Sequence, residues 1–582
     1  MKKFGNASAS LGILLDGNLD YLGLGTGMNI PDEDTVHLIS SMAKPILAVG
    51  LGISAVSSGK FGLDTPVEDI LPLCAACNHR NGAPLRVVDL LDHRSEFFRC
   101  DRLWEGPKGS IGIQDKCTIL KLLQHLPLNR KYNHEPAFHY TRNYSNIGYA
   151  ILAMIIETTT GESWAEFVHD KIFRPLGMTR STADMSCRGP DTNIADAYCS
   201  LIEGQELLDM LGEDENLAAT HERFVTRVMN SDQITVAQPV QPSKCSDTAT
   251  YIGAAAGIRS TVSDLLKFYE VCIALSTNKP NRKLTEFEAG AITVMDHINC
   301  CAQDPTCAYT GGWNPVNLPW DQKQRAPGAD GENYGRLQDI AGLGIAELRQ
   351  KEQFWPFFHG DRNQSQQLAW FHGGNMVGAT SSVFVIPNMR LAVVVLCDSR
   401  SFFIDAANMM AIMLADSLYS GRTVESVMGQ LEKISLLSEH CAARYMVEVG
   451  RYERALLIDY ERGFASAHRY RQCMGRYSLV EGICLEILPD NTGTHLELHY
   501  NDFQYPLRVK RGSTSDKLTM SYAMPMKELH ENGLGGKHWL SHKPFEISFL
   551  GTSGGSYRHL VWTFENFGGE MAFEKVTGFD GI

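Results

Sequence analysis

Serine followed three residues later by lysine occurs repeatedly in this chain, and this spacing can support nucleophilic chemistry. The pairs are Ser41/Lys44, Ser57/Lys60 and Ser276/Lys279. On a helix, residues three apart lie on the same face, so the lysine amine can reach the serine hydroxyl. Burial disfavours the ammonium form and lowers the pKa of the amine, which suits a general base that activates the hydroxyl.

The sequence around each pair separates them. Ser57 and Ser276 stand at polar segment ends, where a solvated lysine has no reason to lose its proton. Ser41 stands at the start of an apolar run, "SMAKPILAVGLGISAV", which predicts a buried helix. The alternative is a capping serine beside a snorkelling lysine, and this segment alone favours it. Ser40 also faces Lys44, so geometry leaves the choice of serine open.

Two further segments carry groups that could complete such a site. Tyr144-Ser145-Asn146 precedes another apolar helix; a tyrosine beside a cation can shuttle a proton, and an asparagine can bind the lysine or a substrate amide. The alternative, a capping Ser/Asn pair with a packed tyrosine, is equally compatible. His372-Gly373-Gly374 opens a predicted strand. Paired glycines mark a close approach to the backbone, so amides there could form an oxyanion hole with the Ser41 amide; a bulge at a sheet edge is the alternative.

The elements that must position these residues follow from pattern. "ASASLGILLDGNLDYLGLG" predicts a hairpin turning at Asp16-Gly17, and the helix after Ser41 is predicted to end near Ser58-Gly59. Gly161 interrupts the helical pattern that follows Asn146, and Ser260 or Thr261 is expected to cap another helix.

Later segments predict a second hairpin around Pro387-Asn388 and then a closing helix. Residues 185–250 and 280–370 are rich in polar, Gly and Pro residues, and we expect little regular structure there. Past residue 440 short alternating runs predict a small β domain, sandwich or barrel.

The order of elements predicts an α/β protein of the α+β type. An antiparallel sheet, in which the first and last strands come together, is flanked by helices and carries an α-helical insertion. We expect a catalytic domain over residues 1–435 and an all-β domain over residues 436–582.

The three motifs, in this order, resemble those of the serine β-lactamase and penicillin-binding-protein superfamily. The closest resemblance is to its class C-like branch of esterases, D-aminopeptidases and acyltransferases, over residues 8–420. "LLDHRSE" and "YSNIGYAILAMIIETTTGESWAEFVHDKIFRPLGM" also match the family pattern. The trailing β domain resembles the one attached to many fungal β-lactamase-like proteins, which suggests a role in fungal secondary metabolism.

The resemblance implies a role for each residue of the three motifs. Ser41 would be the acylated nucleophile, Lys44 its base and Tyr144 the acid/base that serves the leaving group. The amides of Ser41 and Asn375 would form the oxyanion hole. The remaining expected site residues are Asn146, His372, Gly373 and Gly374. Aligning the chain with the family motif assigns Ser40 to the start of the helix. Ser40→Ala is therefore expected to weaken only that start.

Departures from the family pattern bear on the substrate. A histidine, His372, replaces the third motif's lysine, which disfavours a site tuned for the carboxylate of a β-lactam. Within "LLDHRSE", Arg94 and Glu96 stand where the family pattern has a threonine and a glycine, and they place charge near the cleft.

Composition excludes several other functions. A net charge of −14 argues against a nucleic-acid partner, and no apolar run reaches the roughly 18 to 20 residues of a membrane span. The start "MKKFGNASAS" is unlike a signal peptide, so we expect a cytoplasmic protein with reduced thiols, or a secreted one if a leader is missing. "CAAC" at 74–77 and the group His297, Cys300, Cys301 and Cys307 are read as structural thiols, the latter in an irregular loop. We expect no metal and no cofactor.

The sequence therefore predicts a serine-dependent acyl hydrolase or acyltransferase acting on an ester, thioester or amide of a small metabolite. Two alternatives stay open. The same pocket could catalyse cyclisation or elimination without an acyl intermediate, or the fold could serve a catalytically silent binding protein. The oligomeric state is left open.

Overall fold

The computed structural model describes most of the catalytic region and the core of the C-terminal region. The described residues are 8–25, 30–71, 83–95, 97, 115–123, 144–187, 193–201, 236–239, 245, 247, 250–278, 280–303, 309–319, 367–400, 406–423, 425–426, 465–501, 507–511, 517–522, 545–553, 556–564 and 569–576.

Helices and short strands alternate up to residue 426, and strands follow. The helices are α1 (Ala43–Ser58), α2 (Val87–Leu91), α3 (Lys116–Leu123), α4 (Asn146–Thr160), α5 (Trp164–Val168), α6 (Gly253–Ala256), α7 (Val262–Thr277), α8 (Glu286–Cys301) and α9 (Ala406–Ser420). The strands are β1 (Ser8–Leu15), β2 (Asn18–Gly25), β3 (His37–Leu38), β4 (Tyr198–Leu201), β5 (Val236–Pro239), β6 (Arg259–Ser260), β7 (Asn314–Leu318), β8 (Gln367–Met376), β9 (Ala379–Ile386), β10 (Leu391–Cys397), β11 (Ser399–Arg400), β12 (Gly475–Val480), β13 (Ile483–Pro489), β14 (Leu496–Tyr500), β15 (Leu507–Arg511), β16 (Lys517–Tyr522), β17 (Phe545–Ser553), β18 (Ser556–Phe564) and β19 (Gly569–Lys575).

The central sheet is antiparallel, and its strands run in the order β2-β1-β10-β9-β8-β7. The first and last long segments of the region meet as predicted, because β1 pairs with β10 from Ala9↔Cys397 to Leu15↔Leu391. Asp16 and Gly17 both have positive φ, 49° and 84°, as a two-residue hairpin turn requires. The expected hairpin at this turn is confirmed.

Helices cover both faces of the sheet, so its central strands are buried on two sides. Val394 and Leu396 of β10 belong to the core shared with α1 and α4, whereas Val393 and Val395 belong to the core shared with α9. Alternating side chains of β10 thus reach two buried layers, which explains why its sequence, "LAVVVLC", is apolar throughout.

α1 is the central helix of the larger core. The stretch Ser40–Ser58 is long and apolar enough to cross a membrane, so the expectation that no run reaches that length is wrong, but 83% of its apolar 18-residue window is buried inside the protein, as in a core helix. It ends where predicted, at Gly59 with φ 61°. α4 likewise ends before Gly161, and Thr261 caps α7 by accepting a hydrogen bond from the Asp264 amide at 3.1 Å.

The prediction of little regular structure over residues 280–370 is wrong for its first part, which contains α8 and β7. Thr285 and Glu288 form a capping box at the start of α8. The helix packs against α1 with the backbones almost in contact, since a β-carbon at Gly290 would overlap the backbone of Ile53. In residues 185–250 the short strands β4 and β5 pair with each other, and β4 also pairs with β11.

The C-terminal region is a closed barrel of β12 to β19, in which β12 pairs with β19. The predicted all-β domain is confirmed as a barrel. Its β12–β13 turn lies against α3, where Lys121 forms an ion pair with Glu481. The predicted boundary at 435/436 lies outside the described residues and stays a prediction.

Candidate functional site

Ser41 lies in a short 3-10 turn, Ser40–Met42, directly before α1. Ser40 is fully buried and has a φ of 51°, a left-handed conformation that is costly for a residue with a β-carbon. Its hydroxyl makes no cap and has no hydrogen-bond partner among the described residues. Ser40 therefore starts the turn, but the expectation that its side chain supports the helix start is wrong.

Lys44, the second residue of α1, is completely buried. Its Nζ lies 3.1 Å from Ser41 Oγ and 2.8 Å from both Asn146 Oδ1 and the Ala255 carbonyl oxygen. The last two oxygens can only accept, whereas a hydroxyl can also donate. A neutral amine would give its two hydrogens to these oxygens, and its lone pair would face the Ser41 hydroxyl. The geometry allows Lys44 to take the Ser41 proton.

The start of α4 brings the second motif to the lysine. Ser145 caps the helix by accepting a hydrogen bond from the Gly148 amide at 3.4 Å, and the Asn146 side chain beside it accepts from Lys44. The Lys44 Nζ lies 4.7 Å from the centre of the Tyr144 ring. The capping role and the lysine contact, considered as alternatives from sequence, are both present.

His93 supports this corner of the site from the loop after α2. Its Nδ1 accepts a hydrogen bond from the Ser145 amide at 3.3 Å, and its ring centre lies 4.2 Å from that of Tyr144. The residue adopts φ 57°, which turns the chain towards α4. His93 holds Tyr144 in place.

The third motif contributes a neutral histidine. His372 Nδ1 lies 2.7 Å from the Gly373 carbonyl oxygen, which can only accept, so Nδ1 carries the proton and Nε2 accepts the Tyr309 hydroxyl at 3.1 Å. Burial first, and then the nearby Lys44, lower the pKa of His372 to about 3. His372 therefore places no positive charge in the site at neutral pH.

Gly374 allows β8 to lie against the turn that carries the nucleophile. A β-carbon there would overlap Ser381 Oγ and come within 2.8 Å of Ser40 Cβ. Ser381 of β9 fixes the same contact, because its hydroxyl donates to the Ile39 carbonyl at 2.6 Å. The close approach expected for the paired glycines is thus present at Gly374, while a β-carbon at Gly373 would have its nearest neighbour 3.4 Å away.

Beyond this contact, one side of β8 has no paired strand among the described residues. β7 pairs with β8 up to Asn314↔Phe371, and no strand within the described ranges lies on that side of residues 372–376. Asn375 lies in this segment, opposite Thr380 of β9. Its amide stays the predicted second donor of the oxyanion hole.

Two tyrosines of the site were not found from sequence. Tyr149 lies one turn after Asn146 on α4; its hydroxyl donates to the Leu91 carbonyl at 3.0 Å, and its ring centre lies 5.3 Å from Lys44 Nζ. The Tyr309 ring centre lies 4.3 Å from that of His93, with the rings tilted, and the Tyr309 hydroxyl donates to His372 Nε2. Burial raises the pKa of both phenols well above the usual value. The available signal for Tyr309 was the Gly311-Gly312 turn after it, with positive φ at both positions, which packs against the start of α1.

Other candidate groups fall into two sets. The first set lies outside the described residues and contains Cys74, Cys77, Glu96 and Cys307. His297, Cys300 and Cys301 lie on α8, so the expectation of an irregular loop for them is wrong. Asp92, His297 and Cys301 bring potential ligand atoms within 4.8 Å of one another. Asp92 already accepts bonds from His297, Arg94 and the Gly311 amide, so we assign this group no metal.

The chain is similar in sequence to a family of known proteins. The family model described as Beta-lactamase matches residues 2–416. A curated relative, "Penicillin-binding protein 4" of Amycolatopsis lactamdurans, is 30% identical over 181 residues, which are 30% of this chain and 44% of that protein. The chain thus matches less than half the length of this relative.

Two solved structures are similar in fold. A β-lactamase from Sulfitobacter sp. EE-36 has 17% identity and a TM-score of 0.44, with 72% of this chain and 94% of that chain covered. The octameric penicillin-binding protein homologue from Pyrococcus abyssi has 17% identity and a TM-score of 0.47, with 99% and 97% covered.

The order of the strands and the flanking helices define a β-lactamase-like fold, and the serine–lysine pair lies at the start of its buried helix. With the family model matching well over half of its length, the chain belongs to the beta-lactamase family, within the serine β-lactamase and penicillin-binding-protein superfamily.

Proposed function

We propose that this protein transfers acyl groups, to water or to another acceptor, through an acyl-enzyme on Ser41. The observation that carries the proposal is the contact between Lys44 Nζ and Ser41 Oγ at 3.1 Å, with two carbonyl oxygens also within hydrogen-bond distance of the amine. A buried amine held in this way is oriented to activate a serine hydroxyl.

The proposed reaction has two halves. Ser41 Oγ attacks the acyl carbon while Lys44 takes its proton, and the amides of Ser41 and Asn375 stabilise the oxygen that becomes negative. Tyr144, beside Lys44, passes a proton to the leaving group as the bond to it breaks. An incoming water, alcohol or amine then attacks the acyl carbon and gives its proton to the Tyr144 phenolate, while Ser41 Oγ leaves and regains its proton from Lys44. The acceptor decides between hydrolysis and transfer.

The proposed substrate is an ester, thioester or amide of a small metabolite. Neutral His372 bonds the Gly373 carbonyl and the Tyr309 hydroxyl and carries no positive charge, so the third motif does not select a substrate carboxylate by ion pairing. This favours an uncharged acyl or leaving group there. The resemblance of the barrel to a domain of fungal β-lactamase-like proteins supports, as part of the same proposal, a place in fungal secondary metabolism.

A fluorophosphonate probe with intact-mass detection tests the proposal, because Ser41 Oγ would form a bond to phosphorus and expel fluoride. We expect one adduct, mapped to Ser41 and absent from Ser41→Ala. Ser57→Ala is the matched control, since it removes the serine of another Ser-x-x-Lys pair at the far end of α1, and it should label like the natural protein.

Two other results would direct the function elsewhere. If folded protein forms no adduct while a positive control does, the proposed acyl-enzyme on Ser41 is contradicted. That result would favour a binding protein with this fold. Full turnover of an identified substrate by Ser41→Ala would favour cyclisation or elimination by Lys44 and Tyr144.

A further inference from the structure

A thiol, an imidazole and a carboxylate are in contact where α8 meets the loop after α2. Cys301 Sγ lies 3.7 Å from His297 Nδ1, and His297 Nε2 lies 3.0 Å from an Asp92 oxygen. His297 and Cys301 are four residues apart on α8 and therefore share a face of the helix. The proposed acyl transfer uses none of these three groups.

The charges of this group favour an ionised thiol. The Asp92 side chain is fully buried and also pairs with Arg94 at 3.1 Å. Burial lowers the pKa of His297, but its hydrogen bonds to Asp92 and Cys301 together outweigh burial and raise the pKa to about 10. His297 is then a cation at neutral pH, and a cation beside a cysteine stabilises the thiolate, which is its reactive form.

The neighbouring residue on α8 provides an internal comparison. Cys300 is exposed, whereas Cys301 is half-buried and in contact with His297. Exposure by itself would make Cys300 the more reactive thiol. If the imidazolium controls reactivity, the order is reversed in favour of Cys301.

We propose that Cys301 is a modification site at which a thiolate, held by His297 and Asp92, reacts with small electrophiles, hydrogen peroxide among them. In that reaction the Cys301 sulfur attacks one peroxide oxygen, so an S–O bond forms and the O–O bond breaks. The departing hydroxide takes a proton from His297 and leaves as water. Cys301 is oxidised by two electrons to the sulfenic acid, and the peroxide is reduced.

The site lies close to the acyl-transfer residues but is separate from them. Asp92 directly precedes His93, whose ring contacts Tyr144. The Asp92 carboxylate also accepts a hydrogen bond from the Gly311 amide at 3.0 Å. A metal would have to displace the proton of His297 and compete with Arg94 for Asp92, so these three side chains favour the ion-paired thiolate.

The test is the pH dependence of alkylation in the full-length protein, after treatment with a chelator. Iodoacetamide is reacted from pH 5.5 to 9, and fragment-ion mass spectrometry reads the two adjacent cysteines separately. Among the described residues, the titratable groups printed against the Cys301 thiol and its partners are His297 and Asp92, and Arg94 pairs with Asp92. At pH 6 we expect Cys301 to react about tenfold faster than Cys300, because an ordinary thiol is almost entirely protonated there.

His297→Gln removes the cation and retains a polar side chain of similar size. In this variant we expect the Cys301 rate to fall to that of Cys300, with the same pH profile. After hydrogen peroxide, dimedone should trap a sulfenic acid at Cys301 in the natural protein and much less at Cys300. The comparison within the natural protein stands even if the variant folds poorly.

Two results would overturn the proposal. Equal rates and parallel pH profiles of Cys300 and Cys301 in the natural protein would show an ordinary thiol. Alkylation of Cys301 that becomes fast only after the chelator has been added would show that the three side chains hold a metal instead.

Discussion

Lys44 is the residue on which the proposed chemistry depends, and its surroundings define a single orientation. Asn146 from α4 and the Ala255 carbonyl from α6 hold the amine against the Ser41 hydroxyl. Three separate segments of the chain therefore fix one proton-transfer distance. Removing the amine should affect the reaction far more than the fold around it.

Lys44→Met keeps the length and apolar stem of the side chain and removes the amine. We expect the rate at which a fluorophosphonate labels Ser41 to fall by about 10² to 10⁴, the usual contribution of a positioned base. The measurement is the labelling rate followed by intact mass.

Lys60→Met is the matched control. Lys60 belongs to the Ser57/Lys60 pair with the same spacing, and its amine bonds the Thr159 carbonyl away from Ser41. Its labelling rate should equal that of the natural protein. Equal rates for Lys44→Met and the natural protein would remove Lys44 from the mechanism.

Ser40→Ala tests the strained residue before the nucleophile. Its hydroxyl is buried without a partner in the described structure, and a buried polar group left unsatisfied costs about 1–3 kcal/mol. We therefore expect the free energy of unfolding, measured in urea, to stay unchanged or to rise by about 1 kcal/mol.

Ser381→Ala gives the contrast, because its hydroxyl donates to the Ile39 carbonyl at 2.6 Å. We expect a loss of about 1 to 2 kcal/mol there. If Ser40→Ala is the more destabilising of the two, the interpretation of Ser40 is wrong.

At this scale the sequence was informative where local spacing determines geometry. Ser41, Lys44 and Asn146 could be predicted because each stands in, or directly before, the first turn of a buried helix. The order of the motifs, and not the geometry of one helix, favoured Ser41 over Ser40. Tyr149 and Tyr309 could not be predicted, since their contacts with Leu91 and His372 depend on how distant segments pack.

Among the elements, β8 packs at Gly374 against the turn that carries the nucleophile. Its two glycines face opposite sides of the sheet, and they differ in the space around them. The Gly374 side meets the Ser40 turn, whereas the Gly373 side has Asn408 as its nearest neighbour, at 3.4 Å.

Gly374→Ala should force β8 away from the turn and destabilise the protein by about 1 to 3 kcal/mol, the usual cost of overpacking. Gly373→Ala is the matched control, and it should cost less than about 1 kcal/mol because its new methyl group finds ordinary contacts. Urea unfolding of the two variants gives the comparison. Similar costs would mean that β8 does not pack on the turn as closely as described.

Element boundaries followed the local signals where these were strong. Asp16-Gly17, Gly59, Gly161 and Thr261 each ended or began an element as predicted, because each supplies a backbone conformation or a cap that few residues supply. α8 was missed although Thr285 and Glu288 offered a capping box, since the Gly- and Pro-rich composition of the wider segment obscured it.

For the whole molecule, the sheet order was predictable in outline and the pairing register was not. Register depends on contacts between segments hundreds of residues apart, such as β1 with β10. The same long-range packing encloses titratable groups, so the molecule as a whole should respond to pH.

We expect stability to be greatest near pH 6.5. Burial first, and then Arg259 for His37 and Lys44 for His372, lower the pKa of both histidines to about 3. The unfolded chain binds their protons more readily, so stability falls as the pH drops from about 6.5 towards 3. The pKa of Asp398, raised to about 6 by burial, partly opposes this loss. The pKa of His297, raised to about 10, makes stability fall as the pH rises above 6.5.

Thermal unfolding from pH 4 to 9 checks this prediction, with one variant for each side. His37→Gln should flatten the acid side by up to about 1.4 kcal/mol per pH unit, and His297→Gln should flatten the alkaline side. Curves parallel to that of the natural protein in both variants would contradict the assignment.

The near-contact of α1 with α8 has a consequence for engineering. Gly52 and Gly290 leave no room between the two helices, so a single added methyl group at either position must push them apart. Lys44 lies on one of these helices and Cys301 on the other, and both distances to their partners would change together. A mutational library aimed at new substrates should therefore hold positions 52 and 290 fixed, however far they are from the bound acyl group.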